Sequence, residues 1–98
     1  MSPDYIERLR AAVQATHGCH GSHSATARVI KAISENEIAF DGDVEVFDID
    51  HPKSKKCYAW GRMEGGEFQT TCVLEIAPVT SPHTAVDVVL AASSRISP

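Results

Sequence analysis

Lys56-Cys57-Tyr58-Ala59-Trp60-Gly61-Arg62-Met63-Glu64-Gly65-Gly66-Glu67-Phe68-Gln69-Thr70-Thr71-Cys72-Val73-Leu74 reads as two strands joined by a tight turn, and this stretch decides the fold. Gly65-Gly66 between two β-prone runs signals a two-residue hairpin, because both central positions of the favoured turn need positive φ. If Glu64 pairs with Glu67, then Cys57, Ala59, Gly61 and Met63 share a face with Leu74, Cys72, Thr70 and Phe68. Tyr58, Trp60 and Arg62 share the opposite face with Val73, Thr71 and Gln69. The first face is small on one strand and apolar on the other, which suits helices lying across it. The second sets two aromatics among polar neighbours, so Tyr58, Trp60 and Arg62 are read as a small-molecule ligand face or a homodimer interface.

Upstream the period is also two. Ile38, Phe40, Val44 and Val46 alternate with Ala39, Asp41, Asp43 and Glu45. At Phe47 and Ile49 the apolar residues move to odd positions, which predicts a β-bulge near residue 47. Ala25 to Ile33 fits either a helical stripe or a strand, and its β-branched core Val29-Ile30 favours the strand. Ser2-Pro3 and Ser81-Pro82 each place a capping hydroxyl before a first-turn proline, so a helix is expected at either end of the chain. Ile6, Leu9 and Val13 give the first helix a narrow apolar stripe that Gly18 should terminate. Val86, Val89, Leu90 and Ile96 give the second a wider one.

The expected architecture is a single α+β domain over residues 1 to 98. Two helices pack on one face of a three- or four-stranded antiparallel sheet, in the order α-β-β-β-β-α or α-β-β-β-α. A chain of 98 residues with 43% hydrophobic and 22% charged side chains has the composition of one globular core. A formal net charge of −4 argues against a nucleic-acid partner, and the only basic cluster, Lys53, Lys55 and Lys56, follows a proline in a turn. No apolar run reaches the roughly 18 to 20 residues of a membrane span, and the first residues lack a signal-peptide pattern, so the expected location is the cytoplasm. Three cysteines, an odd number, point to free thiols.

The densest reactive chemistry lies in His17-Gly18-Cys19-His20-Gly21-Ser22-His23. His17, Cys19, His20 and His23 offer ligands of suitable softness for a divalent transition metal such as zinc. Cys19 beside His17 is also the pattern of a thiol nucleophile with an imidazole base. Against both stands the bland reading, in which His17 ends a helix, the rest is a solvated loop and Cys19 packs as a small apolar residue beneath it. On its Gly-flanked loop Cys19 is expected to be the first thiol labelled, with Cys57 and Cys72 buried and slow to react. Seven acidic residues and no Lys or Arg lie between Glu35 and Asp50; Asp41, Asp43 and Glu45 are read as the solvated face of an edge strand.

Thr16-His17-Gly18-Cys19, Asp43-Val44-Glu45-Val46-Phe47-Asp48, and His51-Pro52-Lys53 with Cys57-Tyr58-Ala59-Trp60 resemble segments of small uncharacterised bacterial proteins found in environmental and structural-genomics surveys. The resemblance spans residues 16 to 90 and implies neither an activity nor a site residue. The reading is a binding or interaction module that forms a homodimer. The alternative, from a different class, is a thiol- or metal-dependent enzyme centred on His17, Cys19, His20 and His23.

Overall fold

The computed structural model describes residues 3 to 96, ordered as α1 (Pro3–His17), β1 (Gly21–Ser34), β2 (Glu37–His51), β3 (Ser54–Glu64), β4 (Glu67–Leu74) and α2 (Pro82–Ile96). The strands form one antiparallel meander in the order β1-β2-β3-β4. The α+β class and the α-β-β-β-β-α order are as the sequence indicates. No helix among the described residues is long and apolar enough to cross a membrane.

Local signals place the ends of these elements. Gly65 and Gly66 take φ of 61° and 84°, and the hairpin register runs from Glu64 opposite Glu67 to Cys57 opposite Leu74. Gly18, at φ 70°, donates its N–H to the Gln14 carbonyl at 2.8 Å and stops α1 in the left-handed conformation. At the start of α2 the Thr84 N–H donates to Ser81 Oγ at 3.2 Å, while the Ser81 N–H donates to Thr84 Oγ1 at 2.9 Å. This is a reciprocal cap in which threonine takes the place usually held by glutamate. The corresponding Ser2 cap lies outside the described residues. Residues 25 to 33 lie in β1, the strand reading of the ambiguous segment.

The helices do not share a face, and here the sequence reading is corrected. Leu9 and Val13 of α1 pack on Phe47, Ile49, Cys57 and Ala59. Ala85 and Val86 of α2 pack on Val29, Val44, Val46, Tyr58 and Trp60, the opposite side of the same strands. Tyr58 and Trp60 are therefore buried by the chain's own second helix. The aromatic face does not wait for a partner.

Coverage on both sides also explains the change of parity in β2. Residues 44 to 47 are buried in succession, and β2 stays in continuous register with β3 from Glu45 opposite Ala59 to Asp48 opposite Lys56. The β2–β3 register is unbroken through residue 47 and shifts only beyond it, between Asp48 and His51, where β2 carries one extra residue. Val44 and Val46 face α2 while Phe47 and Ile49 face α1, so apolar residues are required at both parities. Opposite residues 46 and 47 the irregularity lies in β1, where Ser24 is passed over between His23, opposite Phe47, and Ala25, opposite Val46.

Candidate functional site

The ladder between β2 and β3 stops before the strands do. Its inner limit is Glu45 opposite Ala59, yet β2 begins at Glu37 and β3 continues to Glu64. Over those outer residues β2 pairs only with β1, and β3 only with β4. The sheet thus forks into two hairpins.

Continuing the register would put Asp43 opposite Gly61. Instead the Gly61 N–H donates to the Tyr5 hydroxyl at 3.1 Å, and that hydroxyl reaches the Gly61 carbonyl at 3.4 Å. Burial raises the Tyr5 pKa, and the Glu45 and Asp43 carboxylates push it the same way, so the phenol stays protonated. The ring packs edge-on against Phe68 at a centroid distance of 5.9 Å, and Arg8 lies over the Phe68 ring at 5.3 Å. Gly61 leaves room for the Phe68 ring: a Cβ would lie 2.5 Å from Phe68 Cζ, so a larger residue must displace it.

The fork opens on both sides of the sheet. On the α2 side is a cleft of about 560 Å³ between Phe40, Trp60, Thr71, Val89 and Leu90. On the α1 side a hollow of about 190 Å³ is lined by Tyr5, Asp41, Asp43 and Gly61. Ala39, Phe40, Trp60 and Arg62 border both, so the two openings adjoin through the gap between the strands. Phe40 and Trp60 meet edge-to-face at 5.5 Å across that gap. The lining of the α2-side cleft mixes the apolar and aromatic Phe40, Trp60, Val89 and Leu90 with the polar Arg62, Gln69, Thr70 and Thr71, so a concavity with both kinds of group is present. Arg62, grouped by sequence with Tyr58 and Trp60, does border the cleft; Tyr58 is set apart beneath α2, its hydroxyl donating to the Glu75 carboxylate.

At the base of the fork lies Glu45, fully buried. His23 Nε2 is 2.7 Å from Glu45 Oε1, and the Thr26 hydroxyl donates to the same oxygen. Glu45 Oε2 is buried with no hydrogen-bond partner. This corrects the reading of Asp41, Asp43 and Glu45 as one solvated face. Asp41 and Asp43 are open to solvent beside Arg28, whereas Glu45 is sealed within the fold.

The histidine and cysteine run is drawn apart. His17 ends α1, with Nε2 3.1 Å from the Cys72 carbonyl oxygen and its ring 6.4 Å from that of His51. Cys19 is buried in the α1-side core, and His20 is exposed. His23 belongs to β1 and turns to Glu45. Among the described residues no three His, Cys, Asp or Glu side chains gather as a metal site. The reason is local: Gly18 reverses the chain and β1 begins at Gly21, so successive side chains leave in different directions.

Sequence reasoning missed the fork and the buried carboxylate. The one trace of the fork was Gly61 amid larger residues. The trace of the carboxylate, His23 and Thr26 opposite Glu45, needs the β1 bulge to be known first. No family model matches this chain, and no match was found among curated proteins or solved structures.

Proposed function

We propose that the protein is a binding module that seats a small molecule with a flat apolar body in the fork, and that it acts as a homodimer. The observation that carries the first part is the early end of the β2–β3 ladder, which leaves a cleft walled by Phe40, Trp60, Val89 and Leu90. Preformed apolar concavity with a few polar groups at its rim is the usual form of such a site. The rival reading, a thiol- or metal-dependent enzyme centred on His17, Cys19, His20 and His23, has less support, since His17 turns to the Cys72 carbonyl, His23 turns to Glu45, and no three His, Cys, Asp or Glu side chains gather among the described residues.

The homodimer reading rests on β1. The strand runs from Gly21 to Ser34, forms one edge of the sheet, and carries the exposed Ile30. A long edge offers a row of backbone donors and acceptors to a second copy. With the aromatic face covered by α2, this edge takes over as the dimer surface.

Titration with 8-anilinonaphthalene-1-sulfonate, followed by probe emission, tests the cleft. One saturable site per chain is expected, weakened at least tenfold by Gln69→Phe, which fills the rim. No saturation, or no effect of that substitution, would refute the site. Light scattering should give about twice the chain mass of 10.6 kDa. The mass of a single chain at high micromolar concentration would remove the dimer.

A further inference from the structure

Beneath α1, Cys57 and Cys72 project from the same face of neighbouring strands on a diagonal, since Ala59 is opposite Cys72 and Cys57 is opposite Leu74. Both are free thiols. Cys57 is fully buried in the cluster formed by Leu9, Val13, Phe47 and Ile49, and Cys72 is half-buried at the seam between α1 and β4.

The Cys57 thiol donates toward the Tyr58 carbonyl oxygen at 4.0 Å. His17, bonded to the Cys72 carbonyl at 3.1 Å, ties the helix end over the pair.

The diagonal Cα separation in an antiparallel sheet, about 7 to 8 Å, exceeds the usual span of a disulfide, roughly 4.4 to 6.8 Å. It suits a sulfur–metal–sulfur bridge, which is longer by the ion between the sulfurs. A tetrahedral zinc site would need further ligands, and among the described residues no third group joins in. A soft monovalent ion that accepts two thiolates in line has no such need.

We propose that Cys57 and Cys72 form a two-coordinate site for a soft monovalent cation of the copper(I) class, sealed under α1. Two S–H bonds break, two S–Cu bonds form, and two protons leave to solvent. Copper enters and remains as Cu(I), so no electron is transferred. Cys72, the more open sulfur, binds first, and Cys57 completes the bridge from inside the apolar cluster. The surrounding Leu9, Val13 and Phe47 exclude water from the ion. This site is independent of the fork and of any ligand there.

Anaerobic titration of the untagged full chain with Cu(I), using bicinchoninate as the competing chromophore, tests the proposal. The wild type and Cys19→Ser should withdraw a single equivalent of copper, and Cys57→Ser and Cys72→Ser none. Because serine at a fully buried position can impair folding, the wild type carries a second measurement. One equivalent of Cu(I) should slow maleimide labelling of Cys72 at least tenfold and leave Cys19 unchanged. No uptake by the wild type, loss of uptake in Cys19→Ser, or an unaltered Cys72 rate each overturns the site.

Discussion

The Tyr5 hydroxyl engages both backbone polar groups of Gly61, receiving its N–H at 3.1 Å and reaching its carbonyl at 3.4 Å. One phenol from α1 thereby occupies the place that Asp43 would hold if the β2–β3 ladder ran on. A buried backbone donor must be satisfied somewhere, and here the partner is a side chain rather than a strand. The helix and the fork are coupled through this contact.

Tyr5→Phe should lower the unfolding free energy by about 0.5 to 1.5 kcal/mol, the net worth of a typical hydrogen bond at a part-buried site. The Gly61 amide should also exchange faster with solvent. Urea denaturation and amide hydrogen exchange measure the two effects. Unchanged protection at Gly61 would mean that water replaces the phenol without loss.

Gly61→Ala places a methyl group 2.5 Å from the Phe68 ring and must displace it. The expected cost is about 1 to 3 kcal/mol of stability, as for other overpacked sites. Phe68→Leu in the same chain should recover part of it, because the ring is the obstacle. A double-mutant cycle by equilibrium unfolding would show the recovery as coupling.

His23→Ala removes a hydrogen-bond partner from a buried carboxyl group whose other oxygen already lacks one. Destabilisation of about 1 to 3 kcal/mol is expected, greater than for a residue merely packed at the surface. Against a Glu45→Gln background the same change should cost less, since the His23–Glu45 pair is then already broken. Equal costs in both backgrounds would show that His23 acts through packing on Phe47, whose ring lies 5.5 Å away.

The Tyr58 pKa is raised by burial and by the hydrogen bond to Glu75, and that of Tyr5 by burial and nearby carboxylates. Both phenols therefore ionise first in the unfolded chain, near its ordinary value of about 10. Their contribution to stability is whole below about pH 10 and is lost as pH rises from there through the folded values. Thermal melts across that range should show the decline, less steep in Tyr58→Phe.

Cys72 should be the first thiol labelled by maleimide, ahead of Cys19 and Cys57. It is half-buried with a lowered pKa, whereas the other two are buried. This reverses the order expected from the Gly-flanked position of Cys19. Labelling followed by peptide mapping distinguishes the two orders.

The hairpin from Cys57 to Leu74 was legible to the residue, because a Gly-Gly turn fixes register through local geometry alone. The helix limits were legible for the same reason. What local pattern could not convey was which face each helix covers. Small residues at Cys57, Ala59 and Gly61 suggested a single helix-bearing side, yet Trp60 and Tyr58 are the better filler under α2. The parity change at Phe47 records coverage from two directions, and a bulge produces the same pattern in one dimension. Glu45 was hidden for a related reason. Its alternation with valines looks like that of Asp41 and Asp43, and only the fold, which brings His23 and Thr26 of β1 onto it, makes it different.

The early end of the ladder divides the labour of the sheet. Residues 44 to 47 and 57 to 60, buried in unbroken runs, act as a spine whose alteration disturbs both layers of helix. Beyond it the tips, including the exposed Ile38 and Met63, are two leaves that share no backbone ladder with one another. Mutational drift can recolour those leaves without reaching the spine, so related chains would be expected to keep the fold's centre and diverge at the margins.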